Sequence, residues 1–193
     1  MRITVYGAAS NKIDQSYIIQ TEEFGREIVR HKHSLVFGGG ARGLMGAVAR
    51  GVHEEEGYVL GIAPTFFKEV DGELYDHCDE FIYTETMRER KALLEEYADA
   101  FVMVPGGIGT YEEFFEILTL KQLNQLDKPI AILNINGYYN TLKLMLEETM
   151  EKRFMSILNK DIYKVCSSFN EVFDYIENYQ YNQTHDYRNI KES

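Results

Sequence analysis

Short apolar runs alternate with longer amphipathic segments along most of the chain. Ile3–Gly7, Ser34–Phe37, Tyr58–Ala63, Glu80–Tyr83, Ala100–Val104 and Pro129–Leu133 have the length and β-branched content of strands buried on both faces. Between them the apolar positions recur at helical spacing, over residues 14–31, 43–56, 86–98, 111–125 and 138–153. A further short strand at Tyr163–Cys166 and a helix from Phe169 to Tyr179 close the pattern. Such alternation predicts an α/β fold, a Rossmann-like doubly wound parallel sheet with right-handed crossovers, in a single domain spanning residues 1–179. Residues 180–193 are polar and aperiodic, and are expected to form a tail.

Composition narrows the partners. The chain has 193 residues with 20 Lys and Arg against 31 Asp and Glu, a net charge of −11. That field repels a phosphate polymer, so nucleic acid is not an expected partner, although a small anion can bind where local donors oppose the field. No apolar run is long enough to cross a membrane and the start of the chain does not resemble a signal peptide, so a cytoplasmic location is expected. Cys78 and Cys166 are the only cysteines and have no metal-ligand spacing. His31 and His33 follow a helix beside Arg30 and Lys32, where basic residues suit the helix dipole better than a metal. No metal is expected.

Candidate chemistry sits at three strand ends, the place where open parallel sheets bind ligands. Pro105-Gly106-Gly107-Ile108-Gly109-Thr110 lies between a strand and a helix, so unobstructed backbone amides and a positive dipole end can cradle a phosphate. Thr110-x-x-Glu113 also reads as a capping box, as do Thr86-x-x-Glu89 and Ser168-x-x-Glu171, so the box alone does not assign Glu113 to chemistry. Gly38, Gly40 and Gly43 satisfy G-x-G-x-x-G, but the next strand ends at Pro64 without the acid that would hold a ribose. A nicotinamide cofactor is therefore disfavoured. Close packing accounts for Gly43 and Gly46 but not for three glycines in a row. The first strand end, Gly7-Ala8-Ala9-Ser10-Asn11, is built of small residues, and Ser10 could meet a ligand or cap a turn.

Met87, Arg90, Lys91 and Leu94 share one helix face. A basic pair among apolar neighbours either meets an anion, snorkels outward, or forms salt bridges with a neighbouring helix.

The ordered set Gly38–Gly46 (GGGARGLMG), Met87–Lys91 (MRERK) and Pro105–Glu113 (PGGIGTYEE) resembles the LOG (Lonely Guy) family, cytokinin riboside 5′-monophosphate phosphoribohydrolases, over about Ile3 to Phe154. The resemblance implies a Rossmann-like homodimer with sites near the subunit interface, a nucleoside 5′-monophosphate substrate and no cofactor. It implies Arg90 and Glu113 as the catalytic pair. Ser10, Gly39, Gly40, Met87, Lys91, Gly106, Gly107, Gly109, Thr110, Glu112 and Thr119 are the expected substrate and phosphate contacts. The first loop departs from the pattern, with Gly7-Ala8-Ala9-Ser10 where relatives often carry Cys-Gly-Ser-Ser.

Relatives are often labelled lysine decarboxylases. That chemistry ordinarily uses a Ser-x-His-Lys setting, and the one His-Lys here, His31-Lys32, has Val29 at the serine position. The expected reaction is hydrolysis of the N-glycosidic bond, with Glu113 stabilising the sugar cation and activating water while Arg90 orients the substrate. The alternatives are a broader nucleotide 5′-monophosphate nucleosidase and a non-catalytic carrier of a nucleotide or the molybdenum cofactor.

Overall fold

The computed structural model describes residues 1–70 and 72–180. The chain order is β1 (Arg2–Tyr6), α1 (Gln15–Arg30), β2 (Ser34–Phe37), α2 (Gly43–Glu54), β3 (Val59–Pro64), β4 (Glu80–Thr84), α3 (Met87–Tyr97), β5 (Ala100–Met103), α4 (Ile108–Gln122), β6 (Ile130–Leu133), α5 (Asn140–Glu151), β7 (Lys164–Cys166) and α6 (Phe169–Glu177). Each expected strand is present to within one residue at either end. The expected tail lies, apart from Gln180, outside the described residues. Among the described residues no helix is long and apolar enough to cross a membrane.

The seven strands form one sheet in the order β4-β3-β2-β1-β5-β6-β7, with every neighbouring pair parallel. Alternation along β1 shows how the layers are made. Ile3 and Val5 face a core with Phe24 and Ile28 of α1, Leu44 and Val48 of α2, and Phe173 of α6. Tyr6 faces the opposite core, with Leu94 of α3, Phe114 and Ile117 of α4, and Leu142 of α5. The Thr4 hydroxyl, on that same face, donates to the Leu94 carbonyl at 3.0 Å and satisfies itself in the core.

Strand order reverses between β1 and β5. Chain progress runs one way through β2, β3 and β4, and the other way through β6 and β7. The loops leaving β1 and β5 therefore diverge and leave a crevice beyond their carboxyl ends.

One boundary differs in a way that matters. The helix expected from residue 111 begins at Ile108, with Gly107 as its N-cap. Thr110 consequently lies inside the first turn and caps nothing. The box at Thr86/Glu89 does form, the hydroxyl accepting from the Glu89 N–H while the Glu89 carboxylate accepts from the Thr86 N–H; at Ser168 the hydroxyl accepts from the Glu171 N–H, but the Glu171 carboxylate accepts from the N–H of Ser167, one residue before the cap. Glu113 therefore lies beyond the first turn and takes a different partner.

Candidate active site

A cavity of about 420 Å³ opens at the switch point, walled by the ends of β1 and β2, the start of α4 and one face of α3. On its α4 side the first intrahelical bond joins Tyr111 N–H to Gly107 C=O at 3.0 Å. The N–H groups of Ile108, Gly109 and Thr110 precede that ladder and lie at the positive end of the helix dipole. A Cβ placed on Gly107 or Gly109 would meet nothing within 4 Å, so this turn faces open space.

Beside it stands an ion pair. Arg90 Nη1 lies 2.9 Å from Glu113 Oε1, with the two side chains only 13% and 11% exposed. Arg90 Nε also donates to the Ile62 carbonyl at 3.3 Å. The guanidinium passes so close to Gly38 that a Cβ there would sit 2.1 Å from Nη2. Gly38 is thus the space through which Arg90 reaches the cavity. Burial pushes the Glu113 carboxyl above its ordinary range, and the Arg90 charge partly offsets that shift.

Lys91 is the second half of the basic pair. It takes a different course, to Glu112 and to Glu116 Oε2 at 2.7 Å, so it ties α3 to α4 outside the cavity. For both cations, the salt-bridge alternative raised by the helix pattern is present, with the partners supplied by α4.

The remaining expected contacts divide. Ser10, Gly40, Met87, Gly107, Gly109, Thr110 and Glu112 line the cavity. Ser10 Oγ accepts from the Lys12 N–H at 3.2 Å, so it also caps its own turn. Gly39, with φ of +75°, lies behind the wall, where a Cβ would meet the Phe81 ring at 2.5 Å. Gly106 also lies behind it, packed on Thr110. Thr119 bonds back to the Phe115 carbonyl at 2.7 Å, on an exposed part of α4 away from the cavity.

One wall carries no periodic signature in the sequence. The connection from β3 to β4 folds over the glycine run: Ala41 N–H donates to Glu73 C=O and Tyr75 N–H to Gly39 C=O, each at 2.8 Å. This brings Phe67, Glu73 and Leu74 to the cavity. The segment has no periodicity, and its length was the one available signal, since long unstructured connections in compact folds tend to serve a site.

These features define a Rossmann-like protein with an open glycine turn and a buried Arg–Glu pair at its switch point. A family model described as "Possible lysine decarboxylase" matches residues 45–176. The chain is 35% identical over 181 residues to the cytokinin riboside 5′-monophosphate phosphoribohydrolase LOG5 of Arabidopsis thaliana, covering 93% of this chain and 78% of that protein. LOG3 of the same plant, with the same activity in its name, is 36% identical over 92% of this chain and 82% of its own length. The chain belongs to the LOG family.

Among solved structures, the molybdenum cofactor binding protein of Rippkaea orientalis matches with TM-score 0.69 and 22% identity over 91% of this chain and 94% of that one. The molybdenum cofactor carrier protein of Chlamydomonas reinhardtii matches with TM-score 0.67 and 21% identity over 90% and 93%. That likeness is one of fold.

Proposed function

We propose that the protein hydrolyses the N-glycosidic bond of an N6-modified adenosine 5′-monophosphate, releasing free base and ribose 5-phosphate. The observation that carries this reading is the Arg90–Glu113 pair at 2.9 Å, one helical turn beyond the open amides of the Gly107 turn. The 5′-phosphate sits on the amides of Ile108, Gly109 and Thr110, which places the ribose toward Glu113, about 5 Å further along the helix. Positive charge develops on the ribose ring as the bond to the base breaks and its electron pair leaves with the base. Glu113 stabilises that charge and takes a proton from the water whose oxygen adds to C1′. The base leaves protonated from solvent. Arg90 stays charged throughout, orients the substrate and holds Glu113 in place. The apolar wall of Met45, Leu74 and Met87 receives the base.

The decarboxylase description does not fit the cavity. Pyridoxal chemistry needs a lysine for the Schiff base. Among the described residues none that lines this cavity is a lysine; Lys91 is turned into Glu112 and Glu116, and Lys32 follows α1.

The exposed apolar Ile108 and Met87 beside the cavity mouth support a homodimer with its sites near the interface. Two unpaired cysteines suit a cytoplasmic protein. Chromatographic assay of base release from isopentenyladenosine monophosphate, AMP, GMP and CMP tests the function. Release from the prenylated nucleotide well ahead of the others is expected. Equal release from all four replaces the reading with a broad nucleosidase, and release from none removes it. Light scattering of the purified protein reads the dimer.

A further inference from the structure

Four consecutive carbonyls at the glycine turn after β5 are already engaged by donors of the protein. Val104 C=O accepts from the Tyr139 hydroxyl at 2.7 Å, and Pro105 C=O from the Ala8 N–H at 3.0 Å. Gly106 C=O accepts from the Tyr138 hydroxyl at 2.7 Å, and Gly107 C=O from the Tyr111 N–H at 3.0 Å. Two of the four donors are side chains, and both come from one place, the junction of β6 and α5.

The peptide between Gly106 and Gly107 is flanked by residues without Cβ atoms, so rotating it meets little steric resistance. Rotation would carry the Gly106 carbonyl, a partial negative charge, toward the position of a bound phosphate. The Tyr138 hydroxyl opposes that rotation directly. Tyr139 is fully buried and fixes the preceding turn at Val104.

The junction itself is braced. Asn136 and Gly137 adopt left-handed φ values of 52° and 73°, a reversal that aims the next two residues back at the turn. Asn134 Oδ1 accepts the Tyr139 N–H at 2.7 Å. The Asn136 side chain bonds Ser16 at 3.0 Å and Gln20 at 2.9 Å, both on α1. The Tyr17 ring meets Tyr138 edge-on at 6.0 Å.

We propose that Tyr138 and Tyr139 are positioning residues: Tyr138 holds the Gly106–Gly107 peptide so that its amide rather than its carbonyl faces a phosphate, and Tyr139 fixes the preceding Val104–Pro105 peptide, which has no N–H, so that the turn keeps its course. This rests on the reading of that turn as the phosphate site. Neither tyrosine lines the cavity, so their effect passes through the backbone they hold.

The test is a titration of the whole protein with inorganic phosphate and with ribose 5-phosphate, followed at the Gly107 and Gly109 amides by NMR. Tyr138→Phe keeps the ring and its contacts and removes one hydroxyl. About fivefold weaker phosphate binding is expected, the factor for one neutral hydrogen bond, with a small fall in melting temperature because the Gly106 carbonyl loses its partner. In turnover, KM for a nucleoside monophosphate should rise by about that factor, with kcat within about twofold of the parent. A purely structural role would lower stability and leave phosphate affinity alone. Tyr139→Phe reads the second hydroxyl independently, with a lower melting temperature expected because the Val104 carbonyl is left unpaired in the core. Unchanged phosphate affinity in Tyr138→Phe, or in Tyr139→Phe should the first variant not fold, overturns the proposal. If the parent protein releases no base from any nucleotide while Tyr138→Phe still weakens phosphate binding, the hydrolase reading falls and the positioning role stands.

Discussion

The chain makes two glycine-rich passages from strand to helix; both border the cavity, but among the described residues only the second leaves its helix-start amides without a protein partner. At the start of α2 the amides are consumed by the protein itself. Leu44 N–H and Met45 N–H both point to Ala8 C=O, at 2.8 and 3.3 Å, and Gly43 N–H donates to Asn11 Oδ1 at 2.9 Å. Gly43 has φ of +57°, and a Cβ on Gly46 would lie 1.9 Å from the Ala41 carbonyl. At the start of α4 the equivalent glycines face the cavity with nothing near them. Ala8 joins the two, donating to Pro105 C=O of the open turn while its carbonyl closes the other. Glycine content therefore distinguishes neither packing from binding. The fate of the amides does.

The largest expected effect tests the open turn's carboxylate. Glu113→Gln should keep nucleotide binding and lower kcat by about a thousandfold or more, the scale for removing a charge that meets the transition state. Hydrolysis at the parental rate would remove Glu113 from the chemistry. Its pH behaviour has a defined sign. Because the folded protein holds this carboxyl's pKa above the ordinary value, activity should fall toward acid through a pH above the normal glutamate range. Folding binds the proton more tightly than the unfolded chain does, so the parent should lose stability relative to Glu113→Gln as pH rises through the folded value. Paired denaturation curves at mildly acidic and neutral pH read that difference.

One substitution made at both turns sharpens the contrast. Gly46→Ala drives a methyl into the Ala41 carbonyl and should cost about 3 kcal/mol of stability, measured by denaturant unfolding. Gly109→Ala adds the same methyl to open space in a helical first turn. It should leave stability equal or slightly raised while weakening nucleotide binding by about tenfold, since the methyl occupies ligand space. Opposite outcomes at the two positions would reverse the assignment of which turn binds. The smallest effect belongs to Asn11→Ala, which frees the Gly43 amide and should cost about 1 kcal/mol with unchanged nucleotide affinity.

Much of the fold was legible because buried parallel strands leave dense, short apolar runs, and those at Ala100–Met103 and Ile130–Leu133 are wholly buried. The site was legible in part. Arg90 could be singled out as a cation on an apolar helix face, but its partner Glu113 followed only from the family resemblance and not from the local pattern. Glu113 fits a capping box as well as it fits chemistry, and only the earlier helix start at Ile108 takes it out of the cap. Lys91 has the same helical address as Arg90, and one residue of rotation sends it to Glu112 and Glu116 instead of the cavity. Phe67, Glu73 and Leu74 carry no periodic signal, so their place at the wall comes from backbone pairing with the glycine run.

By itself the sequence determined the alternation of strand and helix, the parallel sheet and the strand ends at which a ligand could sit, because those follow from local periodicity and from where glycine is tolerated. Tertiary structure decided which glycine turn kept its amides free, and it took Glu113 out of the capping box that its local pattern also fits and set it against Arg90. Both depend on contacts between segments distant in sequence, such as Ala8 with Leu44 and Arg90 with Glu113, and no local pattern records the direction in which a backbone amide or a charged side chain finally points.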